Sequence, residues 1–407
     1  MDGLVIGMDL CDTYTHISCM EPEQTWVIPT VVCKNKNADE WYVEEEAYAH
    51  TLVGDGIMED KLLTQVMKDG TATIGGIKYE GIYLLKMFLE KALELPKKAA
   101  VSREIASIVI AVSCLDVKLM DSLLYCADYL KIPRDRVHLI SHTESFVYYV
   151  MSQKREVWSN QVGMFDLTNQ SLRYYELKVQ RGLRQMQVVA DCENLEEGFH
   201  LDVLDNTAGA RLADRILCSC ADRILQKRLF SAIVLTGKGF ENTEWAPEFM
   251  KQVCSRRRLF VENSLFSKGA LMKAADYLQE KSSYPFICIC EGRLKTTVSV
   301  KVLNHDKEGQ LVLAAAGDNW YEAKSTVDFI VTGNPEVEFT ISPLDPKKKK
   351  LVKIGLEDFP KRPDRTTKIE LSLGFSDDRT MVAVIKDKGF GEIFPAEDVM
   401  IKQEVGL

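Results

Sequence analysis

A short pattern that occurs twice constrains the fold of this chain more than any other feature of its sequence. An apolar run, an aspartate, a short polar turn and a second apolar-alternating run occupy residues 5–18 and again residues 163–177. Such runs separated by a polar turn are typical of two strands joined as a hairpin. The two aspartates, Asp9 and Asp166, fall where each first strand meets its turn. The sequence therefore predicts two hairpins that each present a carboxylate at the mouth.

A third signal follows in the second half of the chain. An apolar strand at residues 232–235 runs into Gly237-Lys238-Gly239. Glycines let a backbone approach a ligand closely and adopt positive φ. An ordinary surface hairpin with an acidic turn would explain either aspartate alone, but the order of the three signals favours one shared architecture.

Two Asp-bearing hairpins that open two halves, followed by a strand ending in Gly-x-Gly, resemble the ATPase domain of the heat-shock seventy (DnaK-type) chaperones and their actin-like relatives. The resemblance implies an actin-like α/β fold with two lobes of mixed sheet and helices. It also implies ATP or ADP with Mg²⁺ as the cofactor, with Asp9 and Asp166 facing the metal. Sugar kinases belong to the same superfamily, but no stretch here singles out the additional catalytic aspartate that they need.

The elements of the first half follow the order found in that family. Apolar spacing predicts strands at 26–33 and 105–113, an extended piece over 41–47, and helices over 81–95, ended by Pro96, and over 116–130. A strand (VHLIS) and a helix (TESFVYYVMSQ) come next.

The step between that strand and helix bears the predicted catalytic residues. His142 aligns with the glutamate of the family that orders the attacking water, and Glu144 lies two positions later. Under an enzyme interpretation, one of them orients the water. The alternative for Glu144 is a first-turn charge favoured by the helix dipole.

The predicted phosphate loops carry larger side chains than the loops of the family. Cys11 and Asp12 stand where the family has Gly and Thr, and the second loop has side chains in place of a run of glycines. If Asp12 lay about 4 Å from a phosphate, the repulsion would be about 4 kcal/mol at an effective dielectric constant near 20. A Mg²⁺ ion bridging Asp9, Asp12 and Asp166 would reverse that sign. The predicted nucleotide-facing residues are Asp12, Thr13, Thr15, Thr168, Asn169, Ser171, Gly237, Lys238 and Gly239.

These loops favour a degenerate site that binds nucleotide weakly or not at all, so the prediction leaves open a protein without a cofactor. The second lobe is also predicted to be reduced, because only a few residues separate a helix at 207–225 from the strand at 232–235. In the family a whole lobe that holds the adenine is inserted there. The predicted domains are lobe I at 1–160, a reduced lobe II at 161–280, a linker at 281–290 and a β-sandwich at 291–400.

From residue 285 the chain alternates short strands with turn residues, as in a β-sandwich. The final hairpin, at 368–389, resembles the end of the substrate-binding sandwich of the chaperones, which implies a peptide or protein partner. The four lysines at 347–350 are interpreted as a solvated turn rather than a polyanion patch. The predicted strands of this region are 295–303, 310–316, 324–331, 336–342, 350–354, 368–375 and 380–386.

Composition excludes several other functions. A net charge of −9 over 407 residues argues against a nucleic-acid surface. The eleven cysteines are scattered and no secretory leader is recognised, which predicts reduced thiols in a cytoplasmic protein. The pairs Cys218/Cys220 and Cys288/Cys290 lack the spacing of a zinc site. No apolar run approaches the roughly 20 residues that a membrane span requires, so no membrane partner is expected.

Three hypotheses follow from the sequence. The first is a cytoplasmic chaperone-like protein with a degenerate actin-type module and a sandwich that binds peptide or a partner protein. The second is a slow Mg²⁺-dependent ATPase that uses Asp9, Asp166 and either Glu144 or His142. The third is a structural scaffold without chemistry.

Overall fold

The structure, a computed structural model, describes residues 3–100, 104–169, 171–181, 185–304, 307–343 and 348–407. It is a mixed α/β protein with several sheets and a strand-rich C-terminal region. The chain divides into two compact units at the Phe286/Ile287 bond. That bond lies inside the predicted linker at 281–290, and the linker also contains a strand.

The helices and strands of the N-terminal unit run in the following order. The strands are β1 (Leu4–Leu10), β2 (Tyr14–Cys19), β3 (Gln24–Pro29), β4 (Val32–Asn35), β5 (Trp41–Tyr42), β6 (Gly56–Glu59), β7 (Thr71–Ile74), β8 (Ile77–Glu80), β9 (Ile105–Val112), β10 (Val137–Ser141), β11 (Gln161–Leu167), β12 (Leu172–Gln180), β13 (Met186–Leu195), β14 (Phe230–Thr236) and β15 (Arg258–Val261). The helices are α1 (Glu44–Val53), α2 (Leu62–Met67), α3 (Gly81–Ala99), α4 (Val117–Tyr129), α5 (His142–Ser152), α6 (Thr207–Leu225), α7 (Pro247–Cys254) and α8 (Leu265–Tyr277). The strand at the unit boundary is β16 (Phe286–Ile289).

Two sheets of the N-terminal unit repeat one topology. The first has the order β10-β9-β1-β2-β3, and the second has the order β15-β14-β11-β12-β13 within this unit. In each sheet three strands form an antiparallel meander. Two later strands then add in parallel beside the first strand of the meander. The two predicted Asp hairpins are confirmed as β1-β2 and β11-β12, at equivalent positions of the two sheets.

The segment between β3 and β9 departs from the predictions in three places. The single strand predicted over 26–33 is wrong, because β3 ends at Pro29 and β4 pairs in another small sheet with β5 and β6. The extended piece over 41–47 is largely helical, since α1 begins at Glu44. Pro96 does not end its helix: it sits in the last turn of α3, which continues to Ala99. A proline there removes one backbone hydrogen bond without stopping the remaining residues of the turn.

Helices α5 and α8 cross at very close range in this unit. Gly269 of α8 faces α5, and a Cβ at this position would lie 2.0 Å from the backbone oxygen of Ser145. The Ser145 hydroxyl donates to the backbone oxygen of Phe266 at 2.5 Å. Helix α8 also lies directly on β1, where a Cβ at Gly7 would come within 2.1 Å of the α8 backbone. The crossing therefore fixes the start of both helices relative to the first sheet.

The C-terminal unit consists of two four-stranded antiparallel sheets. Their orders are β18-β17-β20-β21 and β19-β22-β23-β24. All seven predicted strands of this region are present, and the sequence analysis missed β24. Of the four lysines predicted in a solvated turn, Lys347 lies outside the described residues, whereas Lys350 begins a strand. The strands are β17 (Thr296–Asn304), β18 (Lys307–Ala314), β19 (Ser325–Ile330), β20 (Glu336–Pro343), β21 (Lys350–Gly355), β22 (Lys368–Asp377), β23 (Thr380–Gly389) and β24 (Met400–Gly406).

Candidate functional site

The two predicted metal-facing aspartates occupy equivalent places in the two repeated sheets. Asp9 is the last residue but one of β1 and lies opposite His16 in β2. Asp166 is the last residue but one of β11 and lies opposite Arg173 in β12. Both side chains are buried. Each carboxylate is therefore held at the carboxyl end of a central strand, with a basic residue on the neighbouring strand.

Asp9 is bound by His142 from the start of α5. The Nε2 atom of His142 donates to Oδ1 of Asp9 at 2.7 Å. The imidazole ring stacks on Phe266 of α8, with ring centroids 4.0 Å apart. Burial opposes ionisation of Asp9, but attraction to His142 and this hydrogen bond outweigh it and lower the pKa of Asp9. His142, predicted to orient a water, thus contacts the predicted metal ligand directly.

Cys11 completes a compact group with Asp9 and His142. Its Sγ lies 3.4 Å from Oδ1 of Asp9 and 3.9 Å from Nε2 of His142. Desolvation, followed by the negative charge of Asp9, raises the pKa of the Cys11 thiol well above its usual value. Asp9 and Cys11 also approach the same imidazole nitrogen, so the three do not form a relay in which an acid orients a histidine that activates a thiol.

The pKa of Asp166 is shifted in the opposite direction from that of Asp9. Burial raises the pKa of Asp166 to about 6, against the attraction of His142 and Arg173, and the charge of Asp9 adds to the rise. Arg173 is half-buried and its Nε has no hydrogen-bond partner among the described residues. The site thus holds a carboxylate whose ionised form is destabilised by burial, beside an arginine whose charge attracts it.

Two of the three residues of the first loop that were predicted to face a nucleotide are bonded within the protein. Asp12 Oδ1 accepts from the backbone N–H groups of Leu63 (2.8 Å) and Thr64 (3.2 Å) at the start of α2, and its Oδ2 accepts from the Thr64 hydroxyl at 2.5 Å. This cap is a different role from the phosphate-facing one that was predicted. Thr15 is also turned inward, where its buried hydroxyl lies 2.8 Å from the hydroxyl of Thr30. Thr13 is exposed.

The second loop is closed on itself. The Thr168 hydroxyl lies 2.7 Å from the Ser171 hydroxyl, and the Thr168 N–H donates to the Ser171 backbone oxygen. Asn169 is exposed, and its backbone oxygen accepts from Leu201. Gln170, between Asn169 and Ser171, lies outside the described residues. Both predicted hydroxyls are therefore engaged within the loop.

The Gly237-Lys238-Gly239 step packs tightly against the second loop. Gly237 has φ +92°, and a Cβ there would lie 2.6 Å from Oδ1 of Asp166. A Cβ at Gly239 would lie 2.4 Å from the Leu167 side chain. Exposed Lys238 extends over the ring of Tyr14 in the first hairpin, with its Nζ 5.6 Å from the ring centroid. These glycines serve close protein packing at Asp166, and the lysine reaches the opposite loop.

Glu144 lies in the first turn of α5 and is fully buried. Its backbone N–H is capped by the Ser141 hydroxyl at 3.1 Å. This position fits the alternative interpretation of a first-turn charge.

Sequence reasoning missed Cys11 and Arg173 as members of the site. Cys11 was noted only as a departure from glycine, and Arg173 only as part of a strand. A usable signal was present: β1 and β10 flank β9 in a parallel arrangement, so residues just after their carboxyl ends must meet at one edge of the sheet. Cys11 and His142 stand at those two ends.

The fold and the site define a mixed α/β protein with two repeated sheets and an acidic, histidine-containing cluster at their strand ends. The chain belongs to a family of unknown function, DUF5716, whose C-terminal model matches residues 13–291. A domain of unknown function, DUF8552, matches residues 293–407. A comparison with curated proteins found no match. None of the helices in the described ranges has the length and apolar character that a membrane span requires.

Proposed function

We propose that this protein is a chaperone-like interaction protein. In this proposal the N-terminal unit is an actin-type module of two lobes whose nucleotide site has degenerated. The C-terminal unit is a β-sandwich that binds an extended peptide or a partner protein. The observation that carries the proposal is the repeated sheet topology, combined with loops in which Asp12, Thr15, Thr168 and Ser171 are already bonded within the protein.

The repeat supports an actin-type module. Each sheet has an antiparallel meander and two parallel additions, and an aspartate stands at the same point of each first strand. Helices α5 and α8, which follow the last strand of each sheet, pack against each other. A duplicated unit with an acidic residue at both strand ends is the arrangement that the sequence resemblance implies.

The hydrogen bonds of the loops support degeneration over an active ATPase. Asp9 is bound by His142, and Asp12 caps α2. An ATPase that uses Asp9 for Mg²⁺ and His142 to orient water needs these groups apart and facing a ligand. Thr168 and Ser171 bond each other instead of offering donors to a phosphate. Nucleotide binding would have to break several of these contacts.

The edges of the C-terminal sheets support a peptide or protein partner. Each of the four edge strands carries an exposed large apolar side chain. Edge strands offer unpaired backbone groups that an extended peptide can join as an additional strand. Strand β18 is the best candidate, because Leu311 and Val312 are both exposed on it. The other three edge residues are Ile330, Leu351 and Met400.

Two measurements on the full chain test the proposal. Calorimetric titration with ATP and ADP, with and without Mg²⁺, should give no heat up to millimolar nucleotide. A library of extended peptides should contain binders whose affinity falls at least about tenfold in the double variant Leu311→Lys, Val312→Lys. The control is Leu52→Lys, which changes an exposed leucine on α1. Micromolar Mg²⁺-dependent nucleotide binding with turnover abolished by Asp9→Asn would establish the ATPase alternative and refute the proposal.

A further inference from the structure

We propose that Asp9, Cys11 and His142 form a binding site for a transition-metal ion of the Zn²⁺ class. Each of the three residues offers one ligand atom, and the three atoms lie within 4.8 Å of one another. This site differs from the Mg²⁺ pair expected from the sequence, since two of its three ligands are a thiol and an imidazole. It is also independent of the proposed chaperone-like function, because it does not require a peptide partner or a nucleotide.

Two of the three separations between the ligand atoms are close to those of a tetrahedral face. With Zn–S near 2.3 Å and Zn–N and Zn–O near 2.0–2.2 Å, tetrahedral angles place sulfur about 3.6 Å from either lighter ligand atom. The sulfur of Cys11 lies 3.4 Å from Asp9 Oδ1 and 3.9 Å from His142 Nε2. The Asp9–His142 separation is a hydrogen bond of 2.7 Å, so it must open to roughly 3.4 Å when the ion takes the place of the shared proton.

The donor set selects the kind of ion. Mg²⁺ and Ca²⁺ prefer oxygen ligands, whereas a thiolate together with an imidazole suits zinc and its neighbours in the first transition row. Three protein ligands leave a fourth position for water, as zinc sites with an exchangeable ligand do. One carboxylate and one thiolate also balance the charge of a divalent ion when the histidine is neutral.

Metal binding at this site changes the protonation of Cys11 and His142. On metal binding the Cys11 thiol loses its proton to solvent. Nε2 of His142 releases to solvent the proton that it shared with Asp9 and bonds the metal, while Nδ1 takes up one proton from solvent, so the imidazole stays neutral. The Nδ1 atom is buried and has no hydrogen-bond partner among the described residues, so that position is available for the proton. No oxidation or reduction takes place.

The scaffold holds the three ligands in place. Asp9 is fixed within β1, and Cys11 follows the end of that strand. His142 begins α5, and its ring is stacked on Phe266 of α8. Asp9 and His142 are buried, whereas Cys11 is half-buried, so the group is nearest to solvent at Cys11. Ligands fixed on a strand and a helix need little rearrangement to bind an ion.

The test uses Co²⁺ as a spectroscopic substitute on the full chain after treatment with a chelator. We expect one equivalent of Co²⁺ to give ligand-field bands of tetrahedral intensity together with a thiolate-to-cobalt charge-transfer band. Cys11→Ser should abolish the charge-transfer band and weaken Zn²⁺ binding at least roughly 100-fold, because even loss of an outer-shell partner costs about 10–100-fold. The matched control is Cys254→Ser, an exposed cysteine on α7, which should retain both properties.

Two results would overturn the inference. One is a wild-type protein that gives no charge-transfer band with stoichiometric Co²⁺. The other is a Cys11→Ser variant that retains the band and the Zn²⁺ affinity. Circular dichroism of the variant shows whether it is folded, and absence of the band in the wild type overturns the inference whether or not the variant folds. Neither result bears on peptide binding, so failure of this inference is distinguishable from failure of the proposed function.

Discussion

Replacing Asp166 with asparagine is expected to stabilise the metal-free protein at neutral pH. Burial raises the pKa of this carboxyl from 3.8 to about 6. Between these pH values the folded chain binds one proton more than the unfolded chain, so the free energy of unfolding falls as the pH rises. At about 1.4 kcal/mol per pH unit, the loss amounts to roughly 3 kcal/mol at pH 7. Asparagine carries no charge, so the variant does not lose this stability at pH 7.

The assay is urea unfolding of the wild type and of Asp166→Asn at pH 7 and pH 4, in the presence of a chelator. The advantage of the variant should be about 2–3 kcal/mol larger at pH 7 than at pH 4, where most of the wild-type carboxyl is protonated in the folded state. Asp9→Asn is the matched comparison, because Asp9 stands at the equivalent point of the first sheet.

Asp9 has a lowered pKa through its attraction to His142, so its charge contributes stability that is present above the unfolded pKa. Asp9→Asn should therefore destabilise the protein at pH 7. The reasoning is refuted if the two variants shift stability in the same direction at pH 7, or if the effect of Asp166→Asn does not depend on pH.

Three further predictions concern packing and pairing elsewhere in the chain. Burial raises the pKa of Asp387, but the hydrogen bond from Arg362 outweighs burial, and the pKa is lowered to about 2. The stability that this buried pair contributes should therefore be lost as the pH falls from about 4 to 2. Arg362→Met should cost about 3–5 kcal/mol at pH 7, measured by urea unfolding of the C-terminal unit. Asp12→Ala should cost about 1 kcal/mol through loss of the α2 cap, and Asp12→Asn should recover most of that in the same assay. Gly269→Ala should cost about 3 kcal/mol because its Cβ would meet the α5 backbone, whereas Gly374→Ala, which has open space around it, should leave the melting temperature nearly unchanged.

Much of the secondary structure could be predicted from apolar periodicity. The helix over 207–225 was predicted with its observed bounds, and seven strands of the C-terminal unit were located. Such segments can be predicted because one face of each is buried, and burial of one face requires the regular spacing of apolar residues seen in the sequence. The failures have local causes: β3 and β4 form one apolar run that turns between two sheets, and Pro96 lies in the last turn of α3, which continues to Ala99 although the proline removes one backbone hydrogen bond.

The candidate site was predictable only in part. Asp9 and Asp166 were found because each ends an apolar strand. The pairing of Asp9 with His142 depends on residues 133 positions apart, and no local pattern reveals which side chains share a buried space. The role of Asp12 could not be predicted for the same reason. The sequence pattern of a carboxylate in a turn is the same whether the carboxylate faces a ligand or caps a helix elsewhere in the chain.

The contact between α8 and β1 has a consequence for how the protein is made. The apolar face formed by Val5, Val109 and Ile140 is covered by residues 270–275 of α8. Ribosomes add about 5–20 residues per second, so this face stays uncovered for roughly 7–27 s after its strands have emerged. A nascent chain that ends before α8 should therefore bind holding factors and resist compaction, and the N-terminal sheet should reach protease resistance only after residue 277 leaves the exit tunnel.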